Sequence, residues 1–124
     1  MNTLWIRWGS AFMFLGVALG AFGAHALKSK ITPEAMEIYK TAVLYHLIHA
    51  LGLFAIAWLS SFRPDGRIHW AGIFLVFGII FFSGSLYLLA ITGQKWLGAL
   101  TPLGGVAFLM AWGNVFFSFL NQGR

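Results

Sequence analysis

The chain has 124 residues, of which 60% are hydrophobic and 9% are charged, and its mean hydropathy is +0.82. This composition excludes an ordinary water-soluble domain and is typical of one small integral membrane domain over residues 1–124. The net charge is +5, but the eight basic residues stand singly between apolar runs, so no partnership with nucleic acid is predicted. The absence of cysteine excludes disulfides and thiolate metal sites.

The first uncharged run lies between Arg7 and Lys28 and predicts a membrane span over about residues 6–27. A cleaved secretory signal is an alternative, because the start is basic and residues 24–26, Ala-His-Ala, resemble a cleavage site. Glycines at spacings of seven, four and three favour the span, since they line one helix face on which another helix could pack closely. These glycines are Gly9, Gly16, Gly20 and Gly23.

The most charged part of the chain, residues 28–40, comes next. Thr32-Pro33 is typical of a helix start, with Thr32 as the N-cap and proline at the first helical position. The helix predicted from there is longer than a membrane requires, so Tyr39 is expected among the lipid headgroups. Residues 41–62 contain no formal charge and form the predicted second span. At 1.5 Å per residue, its two histidines lie about 9 and about 13 Å from the boundary at Lys40, near the midplane.

A compact polar turn, Arg63-Pro64-Asp65-Gly66-Arg67, separates the second span from a third predicted over residues 68–92. Gly93 suits a left-handed helix cap. Residues 94–100 form a short connection that is expected to dip into the interface. Thr101-Pro102 repeats the cap-and-proline pattern and begins a fourth span over about residues 101–120. The predicted fold is therefore an all-α bundle of four transmembrane helices.

Four spans place both termini on one side of the membrane, and the positive-inside rule should identify that side. The basic residues divide equally, with Arg7, Arg63, Arg67 and Arg124 on the terminal side and Lys28, Lys30, Lys40 and Lys95 on the other. Interfacial tryptophans cluster on the terminal side: Trp5, Trp8, Trp58 and Trp70. The amino terminus adds one positive group there, so we favour cytoplasmic termini.

Polar side chains of the spans gather in the half of the membrane nearest the lysine-bearing loops. This candidate cluster consists of His25, Tyr45, His46, His49, Ser83, Ser85, Tyr87 and Thr101. If their faces converge, they form a polar pocket, open to the non-cytoplasmic side, for a small ligand, a metal or a lipid headgroup. The alternative is structural: such groups hydrogen bond across helices for about 0.6 to 2 kcal/mol each, while glycines permit close packing. The glycines assigned to packing are Gly16, Gly20, Gly23, Gly84, Gly104 and Gly105.

Three further function classes depend on the same residues. His25, His46 and His49 are weak candidates for metal or haem ligation, because a closed metal site needs three or four ligands and no span contains a carboxylate. Transport by a histidine proton relay would require an oligomer, since four spans enclose little space. No catalytic set or cofactor motif is present, so neither an enzyme nor a particular cofactor is predicted. A structural protein would instead pack its glycine faces against a second copy or another membrane protein.

Four stretches carry a resemblance to a known family: residues 16–27 (GVALGAFGAHAL), 45–51 (YHLIHAL), 82–87 (FSGSLY) and 101–105 (TPLGG). Together they are similar to the small membrane proteins known as domain of unknown function 423. The resemblance extends over nearly the whole chain and implies a bacterial inner-membrane protein with four spans. It implies no reaction and no catalytic residues, because the family is named for lacking an assigned activity. Its motifs coincide with the candidate cluster, which makes that cluster the preferred site.

Overall fold

A computed structural model describes residues 3–120, which form four apolar helices long enough to cross a membrane. The spans are Thr3–Leu27, Pro33–Phe62, Gly66–Thr92 and Lys95–Ser118. The predicted all-α fold with four candidate membrane spans is confirmed. Arg124, which entered the orientation argument, lies outside the described residues.

Two spans contain a wider π-helical turn that the sequence did not reveal. These turns are Gly23–Leu27 in the first span and Ile79–Ser83 in the third. The α-helical segments are Thr3–Phe22, Pro33–Phe62, Gly66–Gly78, Gly84–Thr92 and Thr101–Ser118. A 3-10 turn, Lys95–Ala99, occupies the connection predicted before the last helix. A π turn adds a residue to one helical turn and so rotates every later side chain relative to a regular helix.

The helix ends follow the sequence in two of three cases. The Thr32 hydroxyl accepts a hydrogen bond from the Ala35 N–H at 3.1 Å, which confirms the N-cap. Gly93 adopts a left-handed conformation with φ of 73°, which confirms the predicted C-cap. The prediction that Thr101 caps the last helix is wrong, because Thr101 is its first residue and its hydroxyl bonds to Ser85 Oγ at 2.7 Å.

The second and third spans form the centre of the bundle. In their most apolar windows 44% of the residues are buried, against 22% in the first and fourth spans. Buried apolar residues form one cluster toward the termini, around Leu53 and Leu75, and another toward the lysine-bearing loops, around Tyr39 and Ala90. His46 and Ser83 lie between these two clusters along their helices and are themselves buried. A polar layer therefore crosses the interior near the middle of the bundle.

Tyr39 lies inside the bundle, so its predicted place among the headgroups is wrong. Only 1% of the residue is exposed. Its ring fills the space beside Gly23, where a Cβ would overlap the ring atoms. Its hydroxyl donates to the Leu19 carbonyl of the first span. A buried tyrosine needs such a partner for its hydroxyl, and the glycine face of the first span gives it both the room and the acceptor.

The polar turn between the second and third spans holds the end of the fourth span. Arg63 Nη2 donates to the Ser118 carbonyl at 2.6 Å, and Arg67 Nη1 donates to the Phe117 carbonyl at 3.2 Å. The Ser118 hydroxyl donates to Asp65 Oδ2 at 2.8 Å. The last carbonyls of a helix lack partners within the helix and carry partial negative charge, so cations stabilise them there. We call Arg63, Asp65, Arg67, Phe117 and Ser118 the arginine clamp.

Asp65 gives the arginine clamp an expected pH dependence. Its pKa is lowered by the hydrogen bond from the Arg67 N–H and next by the bond from the Ser118 hydroxyl. A carboxylate with a depressed folded pKa stabilises the fold above its unfolded pKa of about 3.9, and this contribution is lost as pH falls through the folded value. We therefore expect the melting temperature of Asp65→Asn to fall less than that of wild type between about pH 5 and about pH 2.

The measurement is thermal unfolding in detergent at stepped pH. Ser61→Ala is the neighbouring control, because among residues 3–120 the Ser61 hydroxyl bonds only within its own helix, to the Trp58 carbonyl. It is expected to keep the acid dependence of wild type. If the melting temperatures of wild type and Asp65→Asn fell by the same amount as the pH is lowered, the Asp65 carboxylate would not stabilise the fold.

Candidate functional site

His46 joins three spans in one hydrogen-bonded unit. Its Nε2 lies 2.7 Å from the Phe12 carbonyl of the first span, and its Nδ1 lies 2.8 Å from the Tyr87 hydroxyl of the third. Because a carbonyl can only accept, Nε2 carries the proton in the neutral ring, and Nδ1 accepts from the Tyr87 hydroxyl. Only 3% of His46 is exposed. Both nitrogens are therefore occupied by protein groups, and neither has a lone pair free for a metal.

Gly16 makes room for this unit. A Cβ on Gly16 would lie 2.6 Å from Leu47 Cδ2 and 3.2 Å from His46 Cδ2, so a larger residue would displace the imidazole or its neighbour. The rings of Phe12 and Tyr87 flank His46 with centroids 5.8 and 5.9 Å away. The imidazole is thus fixed by packing as well as by hydrogen bonds.

The serines of the candidate cluster also bond between helices. The Ser83 hydroxyl donates to the Ala42 carbonyl of the second span at 2.7 Å. The Ser85 hydroxyl donates to the Phe82 carbonyl at 3.0 Å and accepts from the Thr101 hydroxyl at 2.7 Å, which ties the third span to the fourth. Within the described residues, Ser83, Ser85 and Thr101 therefore link helices as the structural alternative requires.

Tyr45 and His49 lie to one side of this network, where the second and fourth spans meet. They stack with three other aromatic rings to form what we call the aromatic seam: Tyr45, His49, Phe82, Phe108 and Trp112. His49 stacks on Phe108 with centroids 3.7 Å apart, and its Nδ1 donates to the Tyr45 carbonyl at 2.8 Å. Within residues 3–120, His49 Nε2 and the Tyr45 hydroxyl have no hydrogen-bond partner. Tyr45 and Trp112 form the outer edge of the seam, with 38% and 39% exposed, whereas His49 and Phe108 form its inner part, with 6% and 5% exposed.

His25 does not join the other two histidines. It is exposed in the π turn that ends the first span. No group of three His, Cys, Asp or Glu side chains that could hold a metal ion occurs within the part of the chain that the structure describes. Two imidazole nitrogens are used by His46 and a third by His49, so the residues present do not fit a closed metal or haem site.

The glycines assigned to packing separate into two groups. Gly16, Gly20 and Gly23 all face side chains of the second span, so the glycine face of the first span is filled within the chain. Gly104 faces the backbone of Phe82 so closely that a Cβ would overlap it. Gly84 has nothing within 4 Å of a Cβ position, and Gly105 has only Phe82 Cδ2 at 3.9 Å. These last two glycines leave open space where a side chain would lie, so neither supports close packing within the chain.

A second polar region lies at the terminal face and was not identified from the sequence. Trp5 is 3% exposed, its indole N–H is buried without an acceptor among residues 3–120, and its ring lies 5.4 Å from that of His69. The sequence suggested only that Trp5 anchors at the interface. A partial signal was present, because Gly72 in an otherwise bulky helix leaves space for the indole: its Cβ would lie 2.5 Å from Trp5 Cε2.

Comparisons with known proteins agree with the membrane architecture. The family described as "Protein of unknown function (DUF423)" matches residues 19–105, a range that contains every residue of the candidate cluster. UPF0382 membrane protein YwdK of Bacillus subtilis (strain 168) is 48% identical over 105 residues, covering 84% of this chain and 85% of the relative. UPF0382 inner membrane protein YgdD of Escherichia coli (strain K12) is 38% identical over 99 residues, covering 80% and 76%. No solved structure matches the chain.

Two findings indicate the same location, a membrane. The four helices are long and apolar enough to cross one, and the chain is similar to an inner membrane protein. The protein is a multi-pass protein of the cytoplasmic membrane, and the lipid bilayer is its surroundings. By the family match and the identity to these relatives, the chain belongs to the DUF423 family, the UPF0382 membrane proteins.

Proposed function

We propose that this protein is a structural or assembly protein of the cytoplasmic membrane, which binds a partner helix along the aromatic seam. The observation that supports this most directly is the pair of polar atoms left unpaired there, the Tyr45 hydroxyl and His49 Nε2. They lie near the middle of the second span, where lipid offers no hydrogen bond. A helix from a second copy of the chain would supply the missing partners.

The interior gives little support to a ligand pocket. His46, Ser83, Ser85 and Thr101 use their polar atoms to connect the spans of the bundle. Opening the His46 unit to a ligand would first require breaking two cross-helix bonds. Such bonds are worth about 0.6 kcal/mol on average and up to about 1.7 kcal/mol each in a membrane bundle. We therefore assign the interior polar layer to holding the helices in place.

The surroundings of the aromatic seam suit a helical partner. Leu44, Ile48 and Leu109 expose 55%, 50% and 75% of their surfaces, and they present an apolar face around the two polar atoms. Apolar side chains alone do not drive helices together in lipid, whereas polar groups and close packing do. A few hydrogen bonds within an apolar contact surface are therefore what helix association in a membrane requires.

Histidine-dependent transport gains less support than assembly. A proton relay needs histidines that can exchange protons with one another or with water. His46 donates to one carbonyl and accepts from one hydroxyl, and no hydrogen bond connects it with His49 among residues 3–120. A transport role would have to begin by releasing His46 from Phe12 and Tyr87.

Disulfide crosslinking can test the seam, because the natural chain has no cysteine and single-cysteine variants are unambiguous. Ile48 lies one helical turn from Tyr45 and is 50% exposed. We expect Ile48→Cys in native membranes to form a disulfide-linked dimer on oxidation, at twice the 13.7 kDa of the chain. Adding His49→Phe should lower the crosslinked fraction about threefold, the effect of losing one membrane hydrogen bond.

Phe14→Cys is the matched control, because Phe14 is 76% exposed on the first span, away from the seam. It should remain monomeric. Equal crosslinking of both cysteines, or none from Ile48→Cys, would contradict assembly through the seam.

A second candidate function uses the same two atoms. A small ligand or lipid headgroup could bond to Tyr45 and His49, and the family match includes both residues. This candidate predicts a monomeric protein that carries a co-purified small molecule, lost in His49→Phe without loss of folding. Mass spectrometry of the gently purified wild type and variant distinguishes it from assembly. Cytoplasmic termini also stay a prediction, which cysteine accessibility at either face would test.

A further inference from the structure

The two unpaired polar atoms of the aromatic seam are one hydrogen-bond donor and one acceptor. His49 Nδ1 donates to the Tyr45 carbonyl at 2.8 Å, so Nε2 of the neutral ring carries a lone pair and can only accept. The Tyr45 hydroxyl has a proton to donate. The two rings stack with 12° between their planes and 5.9 Å between their centroids, and among residues 3–120 no hydrogen bond joins them. Each atom therefore needs a partner from outside the chain.

Both atoms can be reached from outside the bundle. Tyr45 is 38% exposed. Among the buried and half-buried side chains of residues 3–120, the one unpaired nitrogen or oxygen that is closed off from the surface is the indole nitrogen of Trp5. His49 Nε2 is also unpaired, so this atom reaches the surface although most of His49 is buried. A neighbouring molecule can therefore bond to both atoms.

Tyr45 and His49 lie on either side of the middle of the second span. The helix Pro33–Phe62 has 30 residues and is about 45 Å long, which matches a bilayer with its headgroups. Its middle falls between residues 47 and 48, so the two residues lie about two positions to either side of the bilayer midplane. They are one helical turn, about 6 Å, apart in depth. A donor on one side of the midplane is thus matched by an acceptor on the other side.

Two-fold symmetry about an axis in the membrane plane would satisfy both atoms at once. Such an axis places Tyr45 of one copy at the depth of His49 of the other, and the same contact recurs with the roles exchanged. An axis along the membrane normal instead places each atom opposite its own copy at the same depth. Two His49 Nε2 lone pairs would then face each other with no proton between them. The donor and the acceptor therefore favour an antiparallel pair of chains over a parallel pair.

The basic residues of the chain permit insertion in both orientations. An excess of lysine and arginine on one side is what sets the orientation of a membrane protein. By order along the chain, four arginines fall on one side of the spans and four lysines on the other. The amino terminus adds a single positive group to the arginine side. Both orientations are therefore expected in one membrane, with an excess of the one that has cytoplasmic termini.

We propose that the second copy bound at the aromatic seam is inserted in the opposite orientation, so that two copies of the chain form an antiparallel dimer. The Tyr45 hydroxyl of each copy donates to His49 Nε2 of the other, which gives two equivalent hydrogen bonds near the midplane. This inference rests on the assembly proposed above and adds the direction of the partner. The termini are then cytoplasmic in one copy and on the opposite side of the membrane in the other.

Disulfide crosslinking between two different cysteine variants tests the direction. Leu44 and Leu51 are 55% and 57% exposed, lie equally far from the middle of the second span, and share a helix face with Ile48. In an antiparallel dimer Leu44 of one copy lies at the depth of Leu51 of the other, whereas identical positions are about 10 Å apart in depth, beyond the reach of a disulfide. When Leu44→Cys and a larger, tagged Leu51→Cys are produced together in one membrane, the mixed dimer should exceed each homodimer about tenfold.

Ile48→Cys separates this inference from the proposed function. Ile48 lies next to the two-fold axis and should crosslink to itself in either arrangement. A dimer through Ile48, with Leu44→Cys and Leu51→Cys each crosslinked to itself, would keep assembly through the seam and overturn the antiparallel arrangement. Absence of a dimer through Ile48 would overturn both.

Orientation is measured independently with a membrane-impermeant maleimide on intact spheroplasts. Ser29 and Gly66 are exposed at opposite ends of the bundle, and replacing either with cysteine leaves the count of lysine and arginine unchanged. Each cysteine should be labelled to between about a third and about two thirds of the amount labelled after permeabilisation. Full labelling of one cysteine and none of the other would overturn the proposal.

A change in the charge balance links orientation to dimerisation. Lys28→Gln combined with Lys30→Gln leaves four arginines against two lysines, so it should fix a single orientation. The mixed crosslink between Leu44→Cys and Leu51→Cys should then fall about tenfold, because copies of the opposite orientation are missing. An unchanged mixed crosslink in this lysine variant would show that the dimer does not need both orientations and would overturn the antiparallel arrangement.

Discussion

Gly104→Ala is expected to lower the free energy of unfolding by about 2 kcal/mol or more, whereas Gly105→Ala should change it by less than about 1 kcal/mol. The two positions are adjacent in the same helix, so the intrinsic gain of alanine over glycine is similar for both. The difference lies in what the new methyl group meets. A Cβ at Gly104 would overlap the backbone nitrogen and Cα of Phe82, while one at Gly105 would make ordinary contact with Phe82 Cδ2 at 3.9 Å.

Backbone atoms cannot rotate aside as a side chain can, so the methyl group at Gly104 has to push two helices apart. Phe82 belongs to the π turn of the third span, and this turn brings its backbone against the fourth span. Separating the helices would also lengthen the Ser85 to Thr101 hydrogen bond, which is 2.7 Å in the intact bundle. Thermal and chemical unfolding of both variants in the same detergent measures the difference. Equal stability of the two variants would mean that the close approach of the third and fourth spans is relieved without cost.

His46→Leu should destabilise the bundle by about 2 to 4 kcal/mol, the second large effect we expect. The substitution removes two hydrogen bonds, leaves the Tyr87 hydroxyl unpaired in the interior, and leaves the Phe12 carbonyl with only the bond it makes within its own helix. Tyr87→Phe removes only one of these bonds and should cost about 1 kcal/mol. The double variant should cost less than the sum of the two, because one shared bond is counted in both.

A double-mutant cycle by thermal unfolding measures this coupling directly. His25→Leu is the control, because His25 is exposed and takes no part in the His46 unit; its stability should stay within about 0.5 kcal/mol of wild type. Additive effects of the His46 and Tyr87 substitutions would show that the two side chains do not act as one unit. Loss of a bound molecule with unchanged stability would instead favour the ligand hypothesis.

The spans could be predicted from the sequence because hydrocarbon imposes a length and a composition on any helix that crosses it. Long uncharged runs separated by charged loops therefore gave the number and order of the helices. The helix caps Thr32 and Gly93 could also be predicted, because a side-chain N-cap and a left-handed C-cap each depend mainly on the type of one residue. Predicting the spans and the caps does not require knowing which helices contact one another.

The candidate site was harder to predict because it depends on the rotation of each helix about its axis. In a span that is apolar on all sides, the sequence does not mark which face turns inward. The two π turns then shift that rotation within a span, and Gly84 has open space beside it although Ser83 and Ser85 are buried. His25 is a second example. It lies in the first π turn and is exposed, so it is not close to His46 as predicted.

The aromatic residues show a related limit. Tyr39 and Trp5 both looked like interfacial anchors, because tyrosine and tryptophan are common at membrane surfaces. Each is instead buried against a glycine of a neighbouring span, Gly23 and Gly72 respectively. The pairing of a large ring with a distant glycine is a property of the assembled bundle. It becomes visible only when both helices are placed.

The contacts of the arginine clamp can form only late in the synthesis of this protein. Arg63 and Ser118 are 55 positions apart in the chain, and membrane proteins emerge from the ribosome amino terminus first. When the first three spans have been made, Arg63 and Arg67 still lack the helix end to which they bind. The end of the fourth span thus completes the contacts of a turn made about 50 residues earlier, and a chain truncated within the fourth span lacks these contacts.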